Sequence, residues 1–288
     1  MNGLDKIGVN DGESLWDGKE KVYYVATPHA LSQVAGYLKF NNNDKGRVLF
    51  RGQNVLYDMM NPSLFRKPKS IKKGTWKLTQ HTLTSRINSL RKFLKQDDVR
   101  KGFLNNTPEY THEAILQQYG HKTQWLDLVD NIWIALWFAV HQAELAGKTD
   151  EYIYYKKNTN KYSYIILMQF GIENNVDKQP GLTETFEHFN IIDLRISAPS
   201  IYIRPHSQHG LLVKRKSHGC VDHANYSKYI AGTIKIKTKR ALEWLGNGIL
   251  SSTHFIFPPA TYDDGYRRLI DNIPRGNNTI GTIQFIGP

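Results

Sequence analysis

VLFRGQN, residues 48–54, predicts a buried β-strand that ends on a charged side chain. The apolar run VLF is followed at once by Arg51, Gly52 and Gln53. A buried charge is costly unless it is paired. Arg51 therefore either emerges at the protein surface or has a partner supplied by another part of the chain.

The composition of the 288-residue chain is that of a globular protein, long enough for one large domain or two small ones. Its apolar runs are too short to cross a bilayer, and the N-terminus lacks the basic-then-apolar pattern of a signal peptide. A single cysteine, Cys220, excludes an internal disulfide and is typical of a reducing compartment. We expect a soluble cytoplasmic protein with no membrane partner.

The chain carries a net charge of +12, and the excess of basic residues is concentrated at 66–77, 214–216 and 235–240. Clustered positive charge attracts phosphate backbones and other polyanions. We expect Lys69, Lys72 and Lys73 to contact nucleic acid, with a merely solvated basic surface as the alternative.

The predicted elements are mostly helices in the first half of the chain and mostly strands in the second. Predicted helices cover 28–40, 83–96, 107–120 and 131–147, with Thr27 and Thr107 as caps. Predicted strands cover 162–170, 191–196, 210–215, 232–238 and 253–257, and two further helices cover 239–248 and 262–272. This order favours an α+β fold rather than a doubly wound parallel sheet. We expect a single domain over residues 1–288.

Polar motifs in apolar surroundings occur along most of the chain. They are Phe50-Arg51-Gly52 with Gln53, PSLFR at 62–66, Gln-x-Tyr-Gly-x-x-Thr-x-x-Leu-Asp at 117–127, Ala-Leu-x-Phe-Ala at 135–139, Arg-x-x-x-Gln-x-Gly at 204–210, and Phe-Pro followed by Asp-Gly within 257–265. In this order and spacing they resemble the FRG domain family over residues 45–270. The resemblance implies an FRG core at about 45–215 and a C-terminal extension of strands and helices at about 216–288.

The chain departs from the usual pattern of that family at several positions. The departures are Gln118 in place of His, Lys122 in place of Pro, Gln124 in place of Arg, Asn131-Ile132 in place of Asn-Pro, and Asp127-Leu128-Val129 in place of Asp-Trp-Thr. Functions that depend on the missing His, Arg or Thr therefore do not carry over.

The order of motifs also resembles the ADP-ribosyltransferases. That resemblance implies an ADP-ribosyltransferase-like split antiparallel sheet with N-terminal helices. It further implies transfer of ADP-ribose from NAD to a nucleic acid or protein, in a bacterial toxin or phage-defence protein with a possible antitoxin or regulatory partner. A guanidinium binds phosphate in a bidentate manner and stays charged, and glycine permits close approach to the backbone.

The resemblance assigns a role to each candidate residue. Arg51, Gly52 and Gln53 would hold NAD, and Tyr119 and Thr123 would shape the pocket. The catalytic residues would be Arg51, Asp127, which orients Arg51, and Gln208, which stands where the transferases carry a glutamate.

Gln208 raises the question of whether such a site can turn over. An amide lacks the negative charge that stabilises an oxocarbenium ion, and its presence should cost several kcal/mol of transition-state stabilisation, on the order of 3 kcal/mol. On this reasoning Gln208→Glu would speed nicotinamide release, unless another acid serves: Glu173, Asp127, Asp193 or Asp222. The alternative function is a non-catalytic module that binds a nucleotide or nucleic acid in the same pocket.

Structural roles are open for most of these residues. Arg51 could form a salt bridge with Asp127, and Asp127 could instead cap a helix. Glutamines 53 and 117 could satisfy buried backbone groups, and the rings of residues 119 and 125 could belong to the core. The spacing of His218, Cys220 and His223, with Asp222 beside them, fits no common zinc pattern, so no metal site is predicted.

Overall fold

The computed structural model describes residues 13–42, 46–68, 76–103, 107–148, 151–171, 179–185, 188–217, 219–274, 277 and 279–287, without the side chains of 101–103. Its strands are β1 Ser14–Asp17, β2 Val22–Val25, β3 Arg47–Gln53, β4 Leu126–Val129, β5 His141–Ala146, β6 Tyr152–Lys157, β7 Tyr162–Phe170, β8 Leu182–Glu184, β9 Phe189–Asp193, β10 Gly210–Arg215, β11 Ile230–Lys237 and β12 Phe285–Ile286. Its α-helices are α1 Pro28–Phe40, α2 Gln80–Leu94, α3 His112–Gln118, α4 Ile132–Val140, α5 Leu194–Ser197, α6 Ile203–Ser207, α7 Thr238–Leu245, α8 Thr253–Ile256 and α9 Asp264–Asn272.

Most of the described strands form one large sheet in the order β1-β2-β11-β7-β3-β4-β10-β9-β8. Its neighbours pair antiparallel, except β2 and β11, which pair parallel. A smaller sheet has the order β12-β6-β5. The predicted α+β class is therefore confirmed, although two strands rather than helices come first in the described chain. None of the described helices is long and apolar enough to cross a bilayer.

The two faces of β3 pack in separate apolar clusters. Helices α1, α4 and α7 bury their apolar side chains against one face, where Phe50 of β3 lies. Leu49, on the opposite face of β3, packs in a second cluster together with Met60. Because side chains alternate along a strand, Arg51 and Gln53 project on the same face as Leu49.

The glycine of the FRG motif is required by the packing of α4. An added Cβ at Gly52 would lie 1.9 Å from the carbonyl oxygen of Ala135 and 2.6 Å from the amide nitrogen of Ala139. The backbone of α4 therefore fills the space that a side chain would occupy. The close approach that glycine permits at this position is that of a helix.

The predicted start of α1 is confirmed, whereas the predicted starts of α2 and α3 are not. The Thr27 hydroxyl accepts a hydrogen bond from the Ala30 amide (3.1 Å), and Pro28 is the first residue of α1, as predicted. Helix α2 begins earlier than predicted because Thr79 caps it. Thr107 does not cap α3, which instead follows a short 3₁₀ turn over Glu109–Thr111.

Three predicted elements were wrong in part, each because a cap or a pairing partner outweighed local pattern. The predicted helix 131–147 ends at Val140, since His141–Ala146 pairs with β6 as a strand. The predicted strand 253–257 is helical over Thr253–Ile256, with the Ser252 hydroxyl accepting from the Phe255 amide. The predicted strand 191–196 stops at Asp193, whose carboxylate accepts from the Arg195 amide and starts α5.

Candidate functional site: the gap between β3 and β4

The large sheet opens between β3 and β4 beside Arg51. The two antiparallel strands pair at Phe50 and Val129. Beyond this pair β3 runs on to Gln53 and β4 extends to Leu126 on the same side, but no further residues of the two strands pair. Arg51 reaches across the gap, and its Nη1 donates a hydrogen bond of 2.6 Å to the backbone carbonyl of Asp127. The partner of Arg51 is therefore the next strand of the sheet.

Burial changes the electrostatics of Arg51. Removal from water is the main cause that lowers the pKa of Arg51 to about 10, and the positive charge of Arg66 adds to it. The negative charge of Asp127 acts in the opposite direction. A pKa of about 10 still leaves the guanidinium charged at neutral pH. The gap therefore holds a permanent, partly desolvated positive charge.

The carboxylate of Asp127 is held by a second set of hydrogen bonds. Gln117 Nε2 donates to Asp127 Oδ2 (2.7 Å), and Gln117 Oε1 accepts from Thr123 Oγ1 (2.7 Å) and from Ser63 Oγ (3.0 Å). Desolvation raises the pKa of Asp127 above its ordinary value, although Arg51 and the bond from Gln117 oppose the rise. The side chains of Arg51 and Asp127 form no salt bridge by direct contact; the carbonyl joins them.

We call this set of residues the Arg51 site: Arg51, Gln53, Ser63, Gln117, Thr123 and Asp127. Its members come from the FRG strand, the PSLFR stretch and the Gln-x-Tyr-Gly-x-x-Thr-x-x-Leu-Asp run. The 117–127 run is thus joined by direct hydrogen bonds to the FRG strand, between residues 76 positions apart, and to the PSLFR stretch, between residues 54 positions apart. Asp127 belongs to β4 and does not cap α4, because Asn131 takes that position.

Two polar atoms of the Arg51 site are buried without a hydrogen-bond partner. They are Arg51 Nε and Gln53 Oε1, which belong to residues on the same face of β3. The other end of the Gln53 amide donates to the sulfur of Met60 at 3.3 Å. A buried polar atom without a partner is costly in a folded protein. The Arg51 site therefore contains an unpartnered donor and an unpartnered acceptor on one face of β3.

Tyr119 lies in the core and does not line the Arg51 site. Its side chain is fully buried, its hydroxyl donates to Asp263 (2.7 Å), and its ring stacks on Tyr266 with centroids 5.5 Å apart. The ring of Tyr119 therefore packs in the core. Trp125 is also buried, with Lys214 over its ring. Thr123, by contrast, does belong to the Arg51 site.

Gln208 is buried and bound to the backbone of another helix. It follows α6, and its Nε2 donates a 2.9 Å hydrogen bond to the carbonyl of Ile256 in α8. No hydrogen bond joins Gln208 to the described residues of the Arg51 site. The amide at the position expected for a catalytic glutamate therefore fastens α8 to the start of β10.

Arg204, in the same motif, is a buried cation to which sequence reasoning assigned no role. Its guanidinium lies 4.3 Å from the Tyr119 ring centroid, 4.6 Å from that of Tyr266 and 5.4 Å from that of Phe257. Nη1 donates to the carbonyl of Gln118, and the Arg204 amide donates to Asp263. We call Arg204 and the three rings around it, Tyr119, Phe257 and Tyr266, the Arg204 cluster. The signal that could have found it is a cation in a chain rich in aromatic residues.

The other candidate acids lie in different surroundings. The Asp193 carboxylate pairs with Arg195 at 2.6 Å, and Arg195 also pairs with Asp130 at 2.7 Å. Hydrogen bonds to these carboxylates raise the pKa of Arg195, and Arg195 helps to lower the pKa of Asp130. Asp222 lines a separate pocket. Glu173 lies outside the described residues.

The predicted contacts to nucleic acid and metal are only partly within the described chain. Lys69, Lys72 and Lys73 lie outside the described residues, and so does His218. Cys220 is exposed and free. In the part of the chain that the structure describes, no group of three His, Cys, Asp or Glu residues could hold a metal ion.

The motifs that build the Arg51 site agree with a comparison to known families. No curated protein and no solved structure shows a significant match to the chain. The match to a family covers the region from the start of β3 to the end of β5, just over a third of the chain, and includes all residues of the Arg51 site. Residues 46–148 match the family model of the FRG domain.

Proposed function

We propose that this protein transfers ADP-ribose from NAD to a nucleic acid or protein acceptor, on an ADP-ribosyltransferase-like split sheet. The resemblance of its motifs to those transferases suggests the reaction, and a bacterial toxin or phage-defence protein of the cytoplasm is the setting that the resemblance implies. An antitoxin or another regulatory partner would fit that setting.

The observation that carries the proposal is the pair of open polar atoms beside a permanent charge in the gap between β3 and β4. The guanidinium of Arg51 can bind the pyrophosphate of NAD, because it is planar and always charged. Its open Nε and the open Oε1 of Gln53 offer a donor and an acceptor to phosphate and ribose oxygens. Each of these buried atoms would gain the partner that it lacks.

Asp127 is better placed than Gln208 to stabilise positive charge on the ribose. In the proposed reaction the bond between ribose C1′ and nicotinamide breaks, nicotinamide leaves with the electron pair, and an acceptor oxygen or nitrogen forms the new bond and loses its proton. The cationic character at C1′ favours a nearby carboxylate. Asp127 lies in the Arg51 site and uses one carboxylate oxygen on Gln117, whereas Gln208 is bound to Ile256.

The proposal is tested by incubating the protein with labelled NAD and following released nicotinamide, with and without nucleic acid and protein acceptors. We expect release by the wild type and none by Arg51→Met. Arg240→Met is the matched control, because Arg240 Nη1 also donates to a backbone carbonyl, that of Ala26, but at an exposed site. Equal release by wild type and Arg51→Met would contradict the assignment of Arg51.

A second candidate function is a module that binds a nucleotide without turnover. The observation in its favour is Gln208, which is an amide where the transferases carry a glutamate and is already engaged in the fold. Under this alternative NAD would raise the melting temperature of the wild type but not of Arg51→Met, and nicotinamide would not be released. If the wild type does not bind NAD and does not release nicotinamide, both functions are refuted.

A further inference from the structure

A pocket of about 250 Å³ lies next to the Arg51 site. It is lined by residues from the segment after β3, from the segment before α2 and from the turn before β11, among them Met59, Asn61, Trp76, Val221, Asp222 and Asn225. Met60, between two of these residues, accepts the hydrogen bond from Gln53 on its sulfur. The pocket and the Arg51 site therefore share one stretch of chain as their common wall.

The polar groups of the pocket include both an acceptor and a donor that are not used within the fold. Asn61 Oδ1 is buried and has no hydrogen-bond partner. Asn225 Oδ1 accepts from the Met60 amide and from the amide and hydroxyl of Ser227, so Asn225 is held firmly by its oxygen. The Asn225 NH₂ group makes no hydrogen bond among the described residues. The lining of the pocket therefore includes residues with an unused acceptor, on Asn61, and an unused donor, on Asn225.

The apolar part of the pocket includes an aromatic ring whose position is fixed. The Arg86 guanidinium lies 5.2 Å from the Trp76 ring centroid. Arg86 is itself anchored, because its Nη1 donates to the carbonyls of Leu64 (2.8 Å) and Arg66 (2.9 Å). A tryptophan held in place offers a rigid surface for stacking, which costs little conformational entropy on binding.

The pocket is lined by one acid, Asp222, and carries positive charge as well. Lys77 lines it, and Arg66 is joined to it by a 3.0 Å hydrogen bond from its Nε to the carbonyl of Asn61. Arg66 is exposed, and its terminal nitrogens make no hydrogen bond among the described residues. Arg66 and Lys77 are therefore open to a phosphate that accompanies a ligand in the pocket.

We propose that this pocket binds an amino-bearing nucleobase: adenine, cytosine or guanine. The base would stack on Trp76, donate from its exocyclic amine to Asn61, and accept from Asn225 on a ring nitrogen or carbonyl. A phosphate attached to it would meet Arg66 or Lys77. The inference rests on the proposed function, because it makes the pocket a neighbour of the NAD site: the base belongs to an acceptor nucleic acid or to the adenosine half of NAD.

The test measures binding of fluorescent single-stranded oligo(dA), oligo(dC) and oligo(dT), and of adenosine monophosphate, to the whole chain. Thymine lacks an exocyclic amine. We expect the wild type to bind oligo(dA) and oligo(dC) more tightly than oligo(dT). Trp76→Leu should weaken oligo(dA) binding by about 5- to 100-fold, the range found for loss of one stacking ring, and Trp76→Phe should retain most of the affinity. In Asn61→Leu, oligo(dA) and oligo(dC) should no longer bind more tightly than oligo(dT).

Matched controls separate the pocket from general effects. Trp133→Leu removes an exposed tryptophan of α4, and Lys239→Gln removes an exposed lysine of α7; both should bind as the wild type does. If Trp76→Leu and Asn61→Leu bind every oligonucleotide and adenosine monophosphate as the wild type does, the base pocket is refuted. Absence of any binding by the wild type refutes it as well.

The two sources of the base give different results. Loss of adenosine monophosphate and NAD binding in Trp76→Leu, without oligonucleotide binding by the wild type, assigns the pocket to the adenosine half of NAD. Loss of oligonucleotide binding with unchanged NAD binding assigns it to the acceptor. Failure of the proposed function is a separate outcome, in which nicotinamide is not released and NAD does not bind although the pocket variants still lose oligonucleotide binding.

Discussion

Arg51 and Arg204 each donate one Nη1 to a backbone carbonyl and have other buried nitrogens without a partner, yet their surroundings differ. Arg204 is 1% exposed and faces three aromatic rings, which contribute to its stabilisation by cation–π interactions. Arg51 is partly exposed and lies where a sheet ladder stops. A buried charge closed in by aromatic rings serves the fold, whereas the charge at the gap in the sheet is the one that we propose to bind a ligand.

The strongest test of this comparison is removal of each charge by methionine, which keeps an apolar chain of similar length. Arg204→Met leaves the Gln118 carbonyl unsatisfied and removes contacts to three rings, so we expect it to lower the free energy of unfolding by about 3–5 kcal/mol. Arg51→Met should cost about 1–2 kcal/mol, for one lost hydrogen bond. Urea unfolding measures both, and equal losses would end the distinction.

The pKa of His121, three residues after Gln118, tests whether water is excluded from this part of the interior. His121 is buried, its Nδ1 lies 3.2 Å from the Ile280 carbonyl, and desolvation lowers its pKa from 6.5 to about 4. Between pH 6.5 and about 4 the unfolded chain binds a proton that the folded protein does not, so stability falls as pH decreases through this window, on the order of 3 kcal/mol in total.

The control for that prediction is His121→Asn, whose amide can replace the Nδ1–H donor but does not titrate. We expect the stability of the wild type relative to this variant to fall from pH 7 to pH 4. A constant difference over that range would show that His121 titrates as in water and that the interior is open.

Gln208→Glu probes the same closed region and reverses the expectation from sequence. The carboxylate would lose the donor that binds Ile256 and would face its carbonyl in a site that is 6% exposed. We expect a loss of about 2–3 kcal/mol at pH 7 and no gain in nicotinamide release. Because a protonated carboxyl can donate, stability should partly return at low pH. Gln208→Met is the uncharged control and should cost less; faster nicotinamide release by the glutamate variant would restore Gln208 to the catalytic site.

Gly52→Ala tests whether the contact between β3 and α4 positions Arg51. The added methyl would meet backbone atoms of α4, which cannot turn aside as a side chain can. We expect a loss of about 1–3 kcal/mol from overpacking and weaker ligand binding at Arg51, since β3 must shift. Gly36→Ala in α1 has nothing within 4 Å of the new methyl and serves as the control. A Gly52→Ala protein as stable as the wild type would show that β3 and α4 do not lie in this close contact.

A feature of the fold or of the Arg51 site could be predicted from the sequence where the interaction that causes it lies within a few residues. Thr27 and Pro28 begin α1 as predicted because a cap acts within one turn. The strand after Val140 was missed because its partner, β6, is supplied from elsewhere in the chain. Arg51, Thr123 and Asp127 could be named from their motifs, but that a carbonyl joins Arg51 to Asp127 follows only from the register of two strands.

The positions of Gln208 and Arg204 show the same limit. One motif contains both residues, and the sequence drew attention to the glutamine because transferases carry an acid there. Its partner lies in a helix 48 residues away, and the partners of Arg204 come from three separate parts of the chain. Burial of a polar side chain is a property of the assembled core, and the motif does not contain that information.

The smallest expected effect on stability, and the one that bears most on function, is that of Asp127→Asn. Burial raises the pKa of Asp127 above 3.8, so the folded protein holds its proton to higher pH than the unfolded chain does, and stability is lost as pH rises from 3.8 through the raised value. Asparagine has no charge to desolvate, and its Oδ1 can still accept the hydrogen bond from Gln117. We therefore expect Asp127→Asn to be as stable as the wild type, or more stable by less than about 1 kcal/mol, at pH 7. Below pH 3.8 the difference in stability between the variant and the wild type should disappear.

Nicotinamide release by Asp127→Asn should nevertheless be lost, because the carboxylate proposed to face the ribose is gone. A variant that is clearly less stable at pH 7, with release unchanged, would make Asp127 a structural residue and would leave the open atoms of Arg51 and Gln53 without a catalytic neighbour.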